Sequence, residues 1–176
     1  LEFRRVLFRS PAKVKRPGYT LVLVGGVSKH FMWDDAQVLA QLEMLMARHP
    51  QMRITDSRRT PLALRAELAK RWPVTYQPWE QCPPGWLASE LAIAENAWVT
   101  EDSVSMIYEA LTAGCAVGLV GLQRPEGKPG RLVRGVEKLV ESGQVIRSFL
   151  LNESIDFFCP RPALNEAERV AKLLSD

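Results

Sequence analysis

The sequence has little of what metal sites and disulfide scaffolds are built from. It contains 3 cysteines and 2 histidines among 176 residues. Cys82, Cys115 and Cys159 lie far apart without a CxxC pair, and His30 and His49 do not have the spacing of metal ligands. The sequence therefore predicts no structural metal and no resident cofactor, and it favours a reducing compartment.

Long apolar runs and blocks of one charge are also missing. The longest apolar runs, such as residues 115–120, are the size of a strand and fall well short of the roughly 20 residues that a membrane helix needs. The net charge is +3, from 23 basic and 20 acidic residues that are interspersed. We therefore expect a cytoplasmic protein with no transmembrane segment and no nucleic-acid partner.

The composition is typical of a single globular domain. Apolar residues make up 47% of the chain and charged residues 24%, which is enough to bury one core. The first ten residues, LEFRRVLFRS, resemble a translated cloning linker, so we expect residues 1–10 to be foreign and the domain to cover residues 19–176. On this interpretation the natural sequence is cut before Pro11, and an N-terminal half is missing.

From residue 19 onward, short apolar runs alternate with helical patterns. Strands are predicted at residues 20–24, 52–55, 74–76, 97–100, 115–120 and 145–146, and helices at residues 34–48, 60–70, 86–96, 103–114, 131–141 and 163–174. The helix at 60–70 is expected to have Thr60 as its N-cap. This alternation predicts an α/β fold, a Rossmann-like parallel sheet with helices on both faces.

A parallel sheet of this kind brings its strand-to-helix loops together. Right-handed crossovers place residues 25–33, 56–60, 77–85 and 100–105 at one edge of the sheet, where ligands of such folds bind. The topology therefore predicts a binding site at this edge before any motif is considered.

The first loop resembles a phosphate loop. Gly25 and Gly26 would let backbone N–H groups approach an oxyanion, with Ser28 beside them and Lys29 adding charge. The alternative is an ordinary tight turn, because the loop matches neither GxGxxG nor GxxxxGK[ST].

The second loop contains two adjacent arginines. Arg58 and Arg59 would form an anion clamp, or else would be solvated side chains beside a helix cap. In the third loop, Trp79 would stack on a nucleotide base or would anchor the packing of the loop.

The fourth loop opens the helix of most interest. Ser103 is expected to cap this helix, whose first N–H groups and dipole favour an anion near Ser103, Val104 and Ser105. Glu109, further along the helix, could accept hydrogen bonds from ribose hydroxyls or could be an ordinary surface glutamate. His30 without a partner is a weak candidate for a base, so no catalytic residue is predicted.

Two of these segments resemble a known enzyme class. The sequences GGVSK (25–29) and TEDSVSMIYEALTAGCAVGLV (100–120) resemble the donor-binding half of GT-B glycosyltransferases, notably the peptidoglycan N-acetylglucosaminyltransferase. The resemblance implies that Glu109 binds the ribose and that the diphosphate lies against Gly26, Ser28, Ser103, Val104 and Ser105. Where these enzymes often carry an Asp-Gln or Gln-Gln pair that holds the sugar, this chain has GKPGR (127–131).

A second resemblance rests on three motifs in order. The sequences GGVSKHFMWD (25–34), DSRRTP (56–61) and WVTEDSVSMIYEAL (98–111) resemble the mitochondrial-fission "elongated mitochondria" family, which has many bacterial members. The two resemblances imply a domain that binds a nucleotide-diphosphate sugar and is inactive alone, with glycosyltransferase-like activity left to the full-length protein. The alternatives are a sugar-nucleotide epimerase-like domain and a non-enzymatic adaptor, peripheral to a membrane, that recruits a fission or membrane-remodelling partner.

Overall fold

The computed structural model of the chain describes residues 14–148, which form a parallel sheet flanked by helices. The strands are β1 (Arg16–Leu23), β2 (Met52–Thr55), β3 (Tyr76–Gln77), β4 (Ala94–Thr100), β5 (Ala116–Val120) and β6 (Val145–Ser148). The helices are α1 (Asp35–Arg48), α2 (Leu62–Arg71), α3 (Trp86–Ile93), α4 (Val104–Thr112) and α5 (Arg131–Glu141), and a short 3-10 helix covers Trp79–Gln81.

The six strands are ordered β3-β2-β1-β4-β5-β6, and every neighbouring pair is parallel. The order reverses between β1 and β4, which is the switch point at which ligands of doubly wound folds bind. The predicted Rossmann-like α/β fold with a parallel sheet is therefore confirmed.

Both faces of the sheet are covered, because successive side chains of a strand point to opposite faces. Val22 of β1 and Val24 just after it belong to a core cluster that contains the buried apolar residues of α1 and α2. Leu21 and Leu23 belong to a second cluster, which includes buried residues of α3 and α4. A strand buried on both faces is apolar throughout, as the run at 20–24 predicted.

Several boundaries agree with the sequence. Helix α1 begins after Asp34, whose carboxylate accepts hydrogen bonds from the N–H groups of Ala36 and Gln37, and α5 covers the predicted residues. The longest helix among residues 14–148 has 14 residues. None of the helices in this part of the chain is long and apolar enough to span a bilayer.

Two predicted boundaries are wrong. Thr60 does not cap α2: its hydroxyl donates instead to the carbonyl oxygens of Val24 and Gly25, and Pro61 takes the N-cap position. The predicted helix over 86–96 ends at Ile93, because pairing with β1 already begins at Ala94. Among the strands, β1 and β4 begin earlier than predicted and β6 ends later, while β3 begins only at Tyr76 rather than at residue 74. The segments 1–10 and 163–174 lie outside the described residues.

One large side chain of the sheet depends on a glycine in the neighbouring strand. Trp98 on β4 is 1% exposed, and it packs over Gly118 on β5. A Cβ atom on Gly118 would lie 2.5 Å from Cε3 of the indole. The missing side chain of Gly118 therefore makes the space that Trp98 occupies.

We expect His49 to make the fold sensitive to mild acid. Burial lowers the pKa of His49 below its ordinary value of 6.5, with a smaller contribution from Arg48, while its Nδ1 lies 3.1 Å from the Thr20 hydroxyl. The unfolded chain therefore takes up a proton more readily than the folded one, so stability is full above pH 6.5 and falls as the pH drops toward the folded pKa.

Urea denaturation of wild type and His49→Gln at pH 5.0 and 7.5 tests this expectation. The loss of unfolding free energy on acidification should be smaller in the variant. Equal losses in the two proteins would exclude His49 as the cause.

Candidate functional site

The carboxyl edge of the sheet contains a cavity of about 720 Å³, within the range of small-molecule sites. Its floor is formed by Leu23 and Thr55 at the ends of β1 and β2. The walls come from the loops at 56–59 and 79–85, from α3 and from the start of α4, and they include Asp56, Ser57, Arg58, Arg59, Trp79, Cys82, Trp86, Ser103, Ser105, Met106 and Glu109. Three of the four predicted loops thus meet at one cavity, whereas the loop at 25–33 does not line it.

Asp56 holds two of these walls together. Its side chain is fully buried and accepts hydrogen bonds from the backbone N–H of Trp79 at 2.7 Å and from the Tyr76 hydroxyl at 2.9 Å. It also forms an ion pair with Arg65. Burial raises the pKa of Tyr76 to about 12, so its hydroxyl stays protonated and can donate to Asp56. The sequence analysis missed this role, which an aspartate placed directly after a buried strand could have suggested.

The start of α4 differs from the prediction in one respect. Ser103 is at the N-cap position, but its hydroxyl makes no hydrogen bond to the backbone of the helix. The hydroxyl donates to Asp102 at 3.1 Å and accepts from Arg59 at 3.2 Å. Because the first N–H groups of a helix have no intrahelical partner, those of Val104 and Ser105 remain available to a ligand.

The glycine loop packs against its neighbours. The Gly25 N–H donates to the Thr100 hydroxyl at 2.7 Å, and the Gly26 N–H donates to Asp102 at 3.0 Å. A Cβ atom on Gly25 would overlap Asp102 and Ser103, and one on Gly26 would overlap the backbone of Arg59. The two glycines therefore allow a close approach of three loops, and oxygens of the chain itself already occupy their N–H groups.

The remaining residues of the first loop point to the same conclusion. The Ser28 hydroxyl accepts the His30 N–H at 3.3 Å, and neither Ser28 nor Lys29 lines the cavity. Of the predicted site residues, the structure leaves five outside the lining of the cavity, namely Gly25, Gly26, Ser28, Lys29 and Val104. It brings the others together there: Arg58, Arg59, Trp79, Ser103, Ser105 and Glu109.

The two arginines have different environments. Arg59 forms an ion pair with Asp102 at 2.8 Å and donates to the carbonyl oxygens of Gly26 and Val27. Arg58 is exposed and lines the cavity, and it makes no hydrogen bond or ion pair with any other residue between 14 and 148. Arg58 is therefore the cation that a ligand in the cavity could recruit.

The other lining residues include one exposed carboxylate together with aromatic and apolar groups. Glu109 is exposed and lines the cavity from α4. The indole Nε1 of Trp79 is buried and has no hydrogen-bond partner within the described part of the chain. Burial raises the pKa of the Cys82 thiol, so Cys82 remains a protonated, weakly polar wall residue. No group of three metal-ligating side chains occurs among residues 14–148.

Comparison with known proteins identifies the family. The model of the family described as Mitochondrial fission ELM1 matches residues 4–176. The chain belongs to the mitochondrial fission ELM1 family. This match confirms the membership that the three motifs predicted. No curated protein matches the sequence.

In this member of the ELM1 family the three motifs are in contact with one another. Arg59 of the second motif bonds to Gly26 and Val27 of the first and to Asp102 of the third. Thr60 adds the hydrogen bonds to the end of β1 described above. The motifs therefore form one connected edge beside the cavity.

Proposed function

We propose that the domain binds a nucleotide, in the form of a nucleotide-diphosphate sugar, as the donor-binding half of a GT-B-like, glycosyltransferase-related protein. The observation that carries the proposal is the placement of two groups of α4 in one cavity. Ser103 and Ser105 at the helix start and Glu109 in its second turn all line that cavity. Anions favour a helix N-terminus, and a carboxylate can accept from two neighbouring hydroxyls.

The helix fixes the spacing of these groups. Glu109 lies six positions after Ser103, which corresponds to about 9 Å along the axis at 1.5 Å per residue. Side chains of a helix lean toward its N-terminus, so the Glu109 carboxylate is directed back toward the anion end of the cavity. A ribose next to its own phosphate matches this order of hydroxyl-binding and phosphate-binding groups.

The other walls suit the rest of such a ligand. Trp79 and Trp86 provide aromatic surface for a base, and Arg58 provides a free positive charge near the helix start. In this proposal the phosphate contacts are Arg58 and the N–H groups of Val104 and Ser105, and the phosphate lies beside Ser103, whose hydroxyl already donates to Asp102. The N–H groups of Gly25 and Gly26 do not contribute while Thr100 and Asp102 occupy them.

A ligand panel tests the proposal. UDP, GDP, ADP and CMP sugars are added to wild type, Glu109→Ala and Glu141→Ala, and binding is measured by thermal shift and titration calorimetry. At least one nucleotide should stabilise the wild type. Glu109→Ala should weaken its binding by tenfold or more, because hydrogen bonds to charged groups contribute about 1.5–3 kcal/mol.

The control and a second ligand make the test specific. Glu141 is an exposed glutamate at the end of α5 outside the cavity, so Glu141→Ala should bind as wild type does. The 2′-deoxy form of the bound nucleotide should lose affinity for wild type but not for Glu109→Ala. The proposal is wrong if no nucleotide binds, or if Glu109→Ala binds as tightly as wild type.

A further inference from the structure

Asp102 occupies a set of donors of the kind that bind phosphate groups. Its side chain is fully buried, and its Oδ2 accepts from the Gly26 N–H at 3.0 Å, from Arg59 at 2.8 Å and from the Ser103 hydroxyl at 3.1 Å. Phosphate groups are typically bound by donors of these three kinds: the backbone N–H of a glycine, a guanidinium, and a hydroxyl at the start of a helix. Here the oxyanion belongs to the protein.

These donors satisfy only one of the two carboxylate oxygens of Asp102. The second oxygen, Oδ1, is also buried and has no hydrogen-bond partner within residues 14–148. Buried charged oxygens are normally hydrogen-bonded, because an unpaired one loses its hydration without compensation. Asp102 is therefore held more weakly than a fully bonded carboxylate, which makes its replacement by another anion easier.

Asp102 also lies at the border of the cavity. Two of its partners, Arg59 and Ser103, line the cavity, whereas Asp102 and Gly26 do not. A phosphate in the cavity meets Arg58 and the start of α4 without any movement of Asp102. It reaches the Gly26 N–H only if the Asp102 carboxylate moves away.

We propose that Asp102 is an intramolecular anion that occupies the inner phosphate position of the nucleotide site and thereby determines how many phosphates the ligand places there. The inference rests on the proposed function and concerns its specificity. One phosphate binds beside Arg58, Ser103 and the start of α4 with Asp102 in place. A second phosphate can contact Gly26 and Arg59 only by displacing Asp102. The binding free energy that it gains there nearly equals the free energy lost when the Asp102 contacts break.

The wild type should therefore distinguish poorly between one phosphate and two. We expect UMP and UDP, or the corresponding pair of whichever base binds, to differ in Kd by less than about threefold. Inorganic phosphate and pyrophosphate should differ as little. A wild type that binds the diphosphate tenfold more tightly than the monophosphate would overturn the inference without any variant.

Removing the carboxylate should change this selectivity. Asp102→Ala empties the inner position, so we expect pyrophosphate and UDP to bind at least tenfold more tightly, with phosphate and UMP changed by less than threefold. Asp102→Asn keeps the shape but loses the negative charge, and it should raise pyrophosphate affinity by about threefold or more. Glu141→Ala serves as the control with unchanged ratios.

The outcomes are separable by titration calorimetry on the full chain, with near-ultraviolet circular dichroism as the check of folding. If Asp102→Ala folds but does not bind pyrophosphate more tightly than wild type, Asp102 serves only to join the loops and the inference is overturned. If Asp102→Ala does not fold, Asp102→Asn and the wild-type ratio decide. Because inorganic anions need no base or ribose, a gain for pyrophosphate without any nucleotide binding would reject the proposed function and keep the role of Asp102.

Discussion

Replacing Asp56 with alanine should lower the free energy of unfolding by about 3–5 kcal/mol, the range observed when one partner of a buried ion pair is removed. Three groups lose a partner at once. The Arg65 guanidinium loses its ion pair with Asp56, and the Tyr76 hydroxyl and the backbone N–H of Trp79 lose their acceptor. The last two are in elements that have few other ties, since β3 contains only two residues. We therefore expect the wall at 77–85 to detach from the end of β2.

The same change should abolish ligand binding, because Trp79 and Cys82 line the cavity from this wall. Urea denaturation measures the stability, and the nucleotide panel measures the binding. Glu67→Ala is the matched control: it removes a carboxylate from an exposed ion pair with Arg71 on α2, and exposed pairs contribute little. Similar denaturation midpoints for the two variants would show that Asp56 is not a structural centre of the site.

Replacing Trp98 with alanine should destabilise the fold by a similar amount, about 3–5 kcal/mol, as expected for a large buried aromatic side chain. Trp98 is the largest fully buried side chain among residues 14–148, and it lies on β4, one of the two central strands. The substitution leaves a cavity above Gly118 that the surrounding strands cannot close.

A second variant makes this prediction specific. Gly118→Leu alone should also destabilise, because the new side chain would enter the space occupied by the Trp98 ring. In the double variant the leucine fills part of the space that the indole leaves. The double variant should therefore be more stable than the sum of the two single changes predicts, by about 1–3 kcal/mol in a double-mutant cycle. Additive losses would show that the two residues are not coupled.

The sequence predicted the order of strands and helices because that order depends on local patterns. The apolar stripe of α1 and the acidic residue that caps it lie close together in the sequence. They can therefore be recognised without knowledge of the fold. The same holds for the apolar run of β1, which is buried on both faces. Local periodicity could not show where α3 ends, since Ala94 becomes a strand residue through its pairing with Arg16.

The candidate site was predicted in part for the same reason. Topology brings Arg58, Trp79 and Glu109 to one edge, and all three line the cavity. The contacts that shape this edge join residues far apart in the chain. Asp102 and Arg59 are 43 residues apart, and Asp102 and Gly26 are 76 apart. No local sequence pattern marks such pairs. The glycine loop therefore resembled a phosphate loop with free N–H groups, although in the structure these N–H groups bond to Thr100 and Asp102.

The direct passage from α3 into β4 has a consequence for ligand entry. Because no loop separates Ile93 from Ala94, the α3 wall of the cavity is continuous with a central strand and cannot swing independently of the sheet. We expect adjustment to the size of a bound molecule to come from the loop that precedes α3, where the backbone turns at Gly85 with a φ of 78°. The sheet therefore holds the α3 wall in place, and the loop before it is the part of the cavity that can change.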